Sequence, residues 1–249
     1  MTFADLHHAD EPLLLPNAWD HASAAALAAQ GFPAVATTSL GVAASVGVPD
    51  GASVTREHTL QLALTLGSEA FLLSVDAEGG FSEDPDEVGE YARELAVVGA
   101  VGINLEDGLG PVGRHAAKIA AVKSAAPGLF VNARTDAYWL GDGEDTLSRL
   151  DAYQQAGADG VFVPGLTDPR EIARLVKHLD VPLNILYSPV GPTVPQLADL
   201  GVRRISLGSL LYRRALGAAL ETVTDIRAGR TPRGALPSVA EVQALARTP

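Results

Sequence analysis

No cysteine occurs in the chain, which excludes disulfides, thiolate metal sites and a cysteine nucleophile at once and is in keeping with a reducing compartment. No apolar run approaches the ~20 residues that a membrane span needs, so no membrane is expected as a partner. Residues 2–12 are polar and acidic, without the basic-then-apolar pattern of a secretory signal, and the expectation is a soluble, cytoplasmic protein. Basic charge is scarce: 18 Lys and Arg stand against 30 Asp and Glu, a formal net charge of -12, with Arg203-Arg204 and Arg213-Arg214 the one dense basic cluster. Such a balance repels a phosphate backbone and excludes nucleic acid as an expected partner. It favours a cation in the site and leaves an anionic ligand to be drawn in locally, by a metal or an arginine. A glycine-rich phosphate cradle, a Gly-x-Ser-x-Gly elbow and low-complexity tracts are also missing.

What is present is a regular alternation. Apolar runs fall at 13–18, 34–39, 71–76, 101–105, 129–131, 160–163, 183–187 and 204–207, separated by helical stretches at spacings near the ~30 residues of a βα unit. Asp20 reads as the cap of an alanine-rich helix closed by Gly31, and Asp84-Pro85 and Asp168-Pro169 as N-cap followed by N1 proline. Residues 55–69 are amphipathic, and the connection after 39, ending in Pro49-Asp50-Gly51, reads as a loop long enough to act as a lid. A helix over 114–126 follows the fourth run, the turn Gly141-Asp142-Gly143 precedes another, and a long helix covers 209–228. Eight strand candidates in this pattern predict a single (β/α)8 TIM barrel spanning 1–249. Ser238 and Glu241 form a capping box for one further C-terminal helix, whose Val239, Val242 and Leu245 stripe is expected to pack on another subunit or across the barrel's bottom.

Three runs end alike. Phe71-Leu72-Leu73-Ser74-Val75 delivers Asp76-Ala77-Glu78-Gly79-Gly80, Ile103-Asn104-Leu105 delivers Glu106-Asp107-Gly108, and Phe130-Val131 delivers Asn132-Ala133-Arg134-Thr135-Asp136. In a barrel the carboxyl ends of the strands form the active face, so these residues, with Asn17, Thr38, Ser39 and Asn184, become site candidates. Oxygen donors without His or Cys suit Mg²⁺ or Mn²⁺ and disfavour zinc. Side chains alternate along a strand, so Glu106 and Asp107 cannot both face the axis; Glu106 is taken as the inward one. Arg134, a planar cation at an acidic cup, suits a bidentate clamp on a carboxylate or phosphonate. Asp136 and Asp20 are expected to cap or support. His7 and His8 read as tail, and His21, His58 and His178 as solvated or capping; His115, after the glycine-rich loop 108–113, stays open.

In these motifs, together with Leu15-Pro16-Asn17-Ala18-Trp19-Asp20, Thr37-Thr38-Ser39-Leu40-Gly41, Gly47-Val48-Pro49-Asp50-Gly51 and Arg204-Ile205-Ser206-Leu207-Gly208, the chain resembles the isocitrate lyase and phosphoenolpyruvate phosphomutase superfamily, its phosphonomutase-like branch included. The resemblance implies a barrel whose last helix is exchanged between subunits of a homo-oligomer, a dimer or tetramer. It implies Mg²⁺ (Mn²⁺ as a substitute) on Asp76, with Asp50, Glu78 and Glu106 around it. Thr38, Ser39 and Leu40 would hold a substrate carboxylate, with Asn184 nearby, and Arg134 would hold the second anionic group. Substrates would be small 2-oxo or 2-hydroxy carboxylates or phosphonates. The expected activity is a Mg-dependent lyase-like cleavage of a C–C bond in a small 2-hydroxy or 2-oxo dicarboxylate through an enolate-like intermediate. Phosphonopyruvate-type P–C hydrolysis or phosphomutase chemistry is one alternative, and a catalytically weak 2-oxo-acid-binding paralogue another. The chain departs from the family in two places: Asp76-Ala77-Glu78 replaces the usual Asp-x-Asp, and the cysteine-bearing lid motif of the C–C lyases is replaced by a shorter segment ending in Arg114-His115, which become candidates for acid–base help.

Overall fold

A computed structural model describes residues 1–141 and 143–246, so that Asp142 of the predicted turn and the end of the predicted 1–249 domain lie outside the described residues. Nine parallel strands form one sheet: β1 (Leu13–Leu15), β2 (Asn17–Ala18), β3 (Ala34–Thr37), β4 (Leu72–Asp76), β5 (Ala100–Glu106), β6 (Phe130–Arg134), β7 (Gly160–Val163), β8 (Leu183–Leu186) and β9 (Arg204–Ser206). Their order is β1-β9-β8-β7-β6-β5-β4-β3-β2. The two ends of that order are one predicted strand, split at Pro16. Proline has no N–H for a ladder, and here the chain changes neighbour across it. Leu13–Leu15 pairs with Arg204–Ser206, whereas Asn17 and Ala18 pair with Ala36 and Thr37. The Pro16 carbonyl still accepts from the Ala36 N–H at 2.8 Å. Eight strand positions therefore close a TIM barrel, with helices outside.

Alternation along the strands sorts the side chains. Leu73, Val75, Ile103, Leu105, Val131, Ala133, Val161, Val163, Ile185 and Ile205 face the surrounding helices and are buried in one continuous core. Helices start where the sequence indicates: Asp20, Asp84 and Asp168 on helices that cover the core, and Ser238 on the C-terminal one, each accept a backbone N–H of the first turn. The inward positions are unusual for a barrel, where bulky aliphatics normally fill the interior. Ser74, Asn104, Asn132, Asn184, Arg204 and Ser206 are all buried there.

The floor is apolar. Phe3, just ahead of the 3-10 turn Asp5–His7, and Leu6 within it pack with Leu13, Leu15, Ala34, Ala36 and Phe130. Gly102 is required beneath them, because a Cβ there would meet the Phe3 ring at 2.6 Å. This corrects one expectation and removes one of two alternatives for another. His7 is no tail residue: it is 1% exposed and stacks on Phe130 with ring centroids 4.2 Å apart. Nor does the C-terminal helix (Val239–Gln243) cover the bottom, since the N-terminal turn already fills it; that helix lies beside Ala26, Ala29 and Gln30, with Val239 and Val242 exposed. The predicted loop after β3 is also partly helical, over Ser39–Ser45. Among the described residues no helix is long and apolar enough to cross a membrane.

Candidate active site

Adjacent strand ends bring the acids together. Asp76 ends β4, Glu106 ends β5 and Arg134 ends β6, and the ladder sets Glu106 beside Arg134. Asp76 is fixed from both sides: its N–H donates to Thr37 Oγ1 at 2.9 Å, and one carboxylate oxygen accepts from the Ser39 N–H at 3.2 Å. Asp50 reaches in from the exposed loop. Its carboxyl is pushed up by partial burial and by the Asp76 charge, against a hydrogen bond from the Ser39 hydroxyl and the pull of Arg134.

Arg134 is held by carboxylates before any ligand arrives. Its Nη1 lies 2.7 Å from Glu106, and its Nε and Nη2 lie 2.7 and 2.6 Å from the same oxygen of Asp136. Its guanidinium carbon is 5.9 Å from the centre of the Phe162 ring. Burial pushes the Glu106 carboxyl up to about 8, with Arg134 opposing and Asp76 reinforcing. Asp107 turns the other way. There, burial would raise its carboxyl, but hydrogen bonds from Tyr153 and from the Leu109 and Asp136 N–H groups hold it low, and Arg149 pairs with it at 3.0 Å.

Asp50, Asp76 and Arg134 line a cavity of about 90 Å³ at the carboxyl end of the barrel, with Glu106 and Asp136 behind the arginine. Ser39, Asp50, Asp76, Asn104 and Arg134 make its polar wall; Leu40, Trp139, Phe162, Pro164 and Leu186 make an apolar one. The volume suits a small acid and is far below the ~300 Å³ at which drug-sized pockets begin. Among the described residues no three His, Cys, Asp or Glu side chains converge closely enough to hold a metal by themselves.

Several predicted residues do not line the cavity itself, although Glu78 stays close enough to feel the charges of Asp76 and Asp50. Glu78, at φ 47° and 1% exposed, accepts from Thr55 Oγ1 at 2.5 Å and from the Ser53 N–H at 3.1 Å. It thereby ties the Asp50 loop to the acid strand from behind. Asn184 is buried in the barrel interior, donating to Ser206 Oγ at 3.0 Å, beneath the cavity. Arg114 pairs with Glu83 on the surface. His115 is buried edge-on to Tyr153, and burial draws its imidazole down to about 4. Neither lines the cavity, because Val112–Ala125 turns this part of the helix toward the outer layer. Of the apolar wall the sequence reading had only Leu40, and it missed Asn104: Trp139 sits on the short helix Ala137–Leu140, and Asn104 is an inward polar residue in an apolar strand, which is itself a usable signal.

The fold and this strand-end cup define a class, TIM-barrel enzymes that gather carboxylates and one arginine around a small anionic ligand. Residues 3–227 match the phosphoenolpyruvate phosphomutase family. An uncharacterized protein of Mycobacterium tuberculosis, Rv1998c, is 43% identical over 98% of this chain and 95% of its own length. The 2-methylisocitrate lyase of Bacillus subtilis (strain 168) is 31% identical over 79% of this chain and 70% of its own. A solved phosphonopyruvate hydrolase, in complex with oxalate and Mg²⁺, superposes with a TM-score of 0.85 at 26% identity, covering 98% of this chain and 95% of that one. The chain belongs to the isocitrate lyase and phosphoenolpyruvate phosphomutase superfamily of lyases and mutases.

Proposed function

We propose that this enzyme cleaves a C–C bond in a small 2-hydroxy or 2-oxo dicarboxylate, with Mg²⁺ as its cofactor. The carrying observation is the charge lining of the cavity: Asp50 and Asp76 are close enough for the Asp76 charge to raise the Asp50 carboxyl, and they share the polar wall with Arg134, already oriented by Glu106 and Asp136. Two like carboxylates sharing a space favour a cation between them, and oxygen-only donors without a closed cage suit a hard ion that keeps some of its water. Asp76 and Asp50 would hold it, with Glu106 behind. The magnesium of the phosphonopyruvate hydrolase complex supports this assignment by likeness. When bound, such an ion supplies Lewis-acid stabilisation of oxyanion charge.

The chain's own residues account for the rest. Thr38, Ser39 and Leu40, at the start of the helix Ser39–Ser45, form the wall beside Asp76 and would take one substrate carboxylate. Arg134 would take the far carboxylate, fixing the breaking bond against the apolar wall. Glu106 and Asp136 keep the guanidinium plane in place, so little reorganisation is needed on binding.

The protein also forms a homo-oligomer in this proposal. The helix Leu210–Arg227 has no buried residue, and Leu216, Leu220, Val223 and Ile226 are each more than half exposed. A face of that kind needs a partner, and exchange of this helix with a second copy would supply one.

A ¹H and ³¹P NMR time course with Mg²⁺, a pool of 2-hydroxy and 2-oxo dicarboxylates and phosphonopyruvate, against an EDTA control, tests the chemistry. Metal-dependent appearance of pyruvate, glyoxylate, succinate or oxalate supports C–C cleavage. Phosphate or a rearranged phosphorus signal would replace it with P–C chemistry.

A further inference from the structure

Arg204 sits where barrels normally place an aliphatic side chain. It is fully buried at the base of β9, 5.8 Å above the Phe3 ring. Its Nη2 donates to Asn104 Oδ1 at 2.9 Å, with Ser74 Oγ farther off at 3.5 Å, and its Nε and Nη1 find no partner. A buried guanidinium so sparsely paired is costly, since each unsatisfied donor carries the full loss of its hydration. Burial draws even this arginine down to about 9, and the one charge that opposes the shift is Asp76. A buried cation with two unpaired donors points to a task other than stability.

The hydrogen bonds indicate the task. Guanidinium nitrogens only donate, so Asn104 must present its oxygen downward, where it also accepts from Asn132 Nδ2 at 2.8 Å. Asn104 lines the cavity, and with its oxygen occupied below, its amide NH₂ is the end left for a ligand oxygen. We propose that Arg204 is a positioning residue of the active site, a buried cation that orients Asn104 as a donor to the bound anion and offsets the Asp76 charge from beneath. The inference rests on the metal and anion assignment made above.

The two tasks move two affinities in opposite directions. Without the cation, the acids around the metal are less neutralised and Mg²⁺ binds more tightly; the anion loses both attraction and an oriented donor. Isothermal titration of the full-length protein with MgCl₂, then of the Mg²⁺-loaded protein with oxalate, reads both. Arg204→Met is expected to tighten Mg²⁺ and weaken oxalate by about tenfold each, the scale of one charge at short range in a partly screened interior. It should keep or raise Tm, because an apolar replacement of similar volume removes an unpaired buried charge. Arg204→Gln, neutral but able to donate to Asn104, should tighten Mg²⁺ as the methionine does and lose less oxalate affinity; it carries the test if the methionine variant misfolds. Loosening of the fold would weaken both ligands together, and that result, or no change in either, overturns the inference. A wild-type protein that binds neither ligand overturns the underlying assignment instead, and the inference with it.

Discussion

Asp76 is the residue on which the proposed chemistry turns, because it is a carboxylate of the cavity wall braced by hydrogen bonds on both sides. Asp76→Ala should remove Mg²⁺-dependent oxalate binding while leaving the circular dichroism spectrum unchanged; retained binding would sink the metal assignment. Another single residue makes a different prediction. His115 is neutral in the fold, its imidazole drawn from 6.5 to about 4 mainly by burial, and its Nε2 has no partner. The unfolded chain therefore binds one more proton between those values, so stability is complete above pH 6.5 and falls with the pH down to about 4. The loss attributable to this one group amounts to at most about 3 kcal/mol. Urea midpoints at about pH 7.5 and about pH 5 should drop less for His115→Phe, which keeps the edge contact with Tyr153, than for the wild type. Equal drops would remove His115 from the acid response. This burial was invisible in the sequence, where Gly113-Arg114-His115 looked like a lid; one helical residue faces solvent and the next the core, and only the docking of Val112–Ala125 says which.

At the scale of elements, the N-terminal turn is a structural plug for the barrel floor. Phe3 is 4% exposed and fits against Gly102, so the sequence-distant pair is complementary in shape. Phe3→Ala should lower the unfolding free energy by roughly 3 kcal/mol, the usual cost of a cavity left by a buried aromatic. A chemical-denaturation change below about 1 kcal/mol would show that the floor stays closed without it. The strands themselves were legible: eight apolar runs map onto the eight strand positions, with Pro16 dividing the first. The N-terminal turn was not, since three residues of 3-10 helix leave no periodicity to read and their burial depends on a hole made by a glycine far along the chain. The helix Ser39–Ser45 was missed for a related reason. Gly-, Val- and Ser-rich sequence has weak helix propensity, and here the turn is held by its place over the barrel mouth rather than by its composition.

For the whole molecule, the exposed face of Leu210–Arg227 is the largest departure from a barrel that is complete by itself. Leu216, Leu220, Val223 and Ile226 recur at helical spacing along one side. Replacing Leu220 and Val223 together by Asp should reduce the sedimentation coefficient to that of a monomer with the helical signal retained. An unchanged coefficient would exclude this face from the assembly. The overall acidity, a formal net charge of -12, acts at the same scale: in the proposed reaction it would favour a divalent cation and leave anion capture to local arginines.

Local chemistry was decided by the sequence alone: where strands stop, which aspartates cap helices, and which carboxylates and arginine stand at strand ends. Each of these depends on a few neighbouring residues and on the two-residue period of a strand, so the barrel and the Asp76, Glu106 and Arg134 cup could be read without coordinates. The tertiary structure decided which of the candidates face one another. Glu78 turned to bind the Asp50 loop, Asn184 sank into the interior, and Arg114 and His115 left the site, while Asn104, Trp139 and the buried Arg204 entered the description. Strand alternation assigns a side chain to the inside or the outside, but its depth along the barrel axis and its partners follow from the stagger between strands, which no stretch of the chain carries by itself.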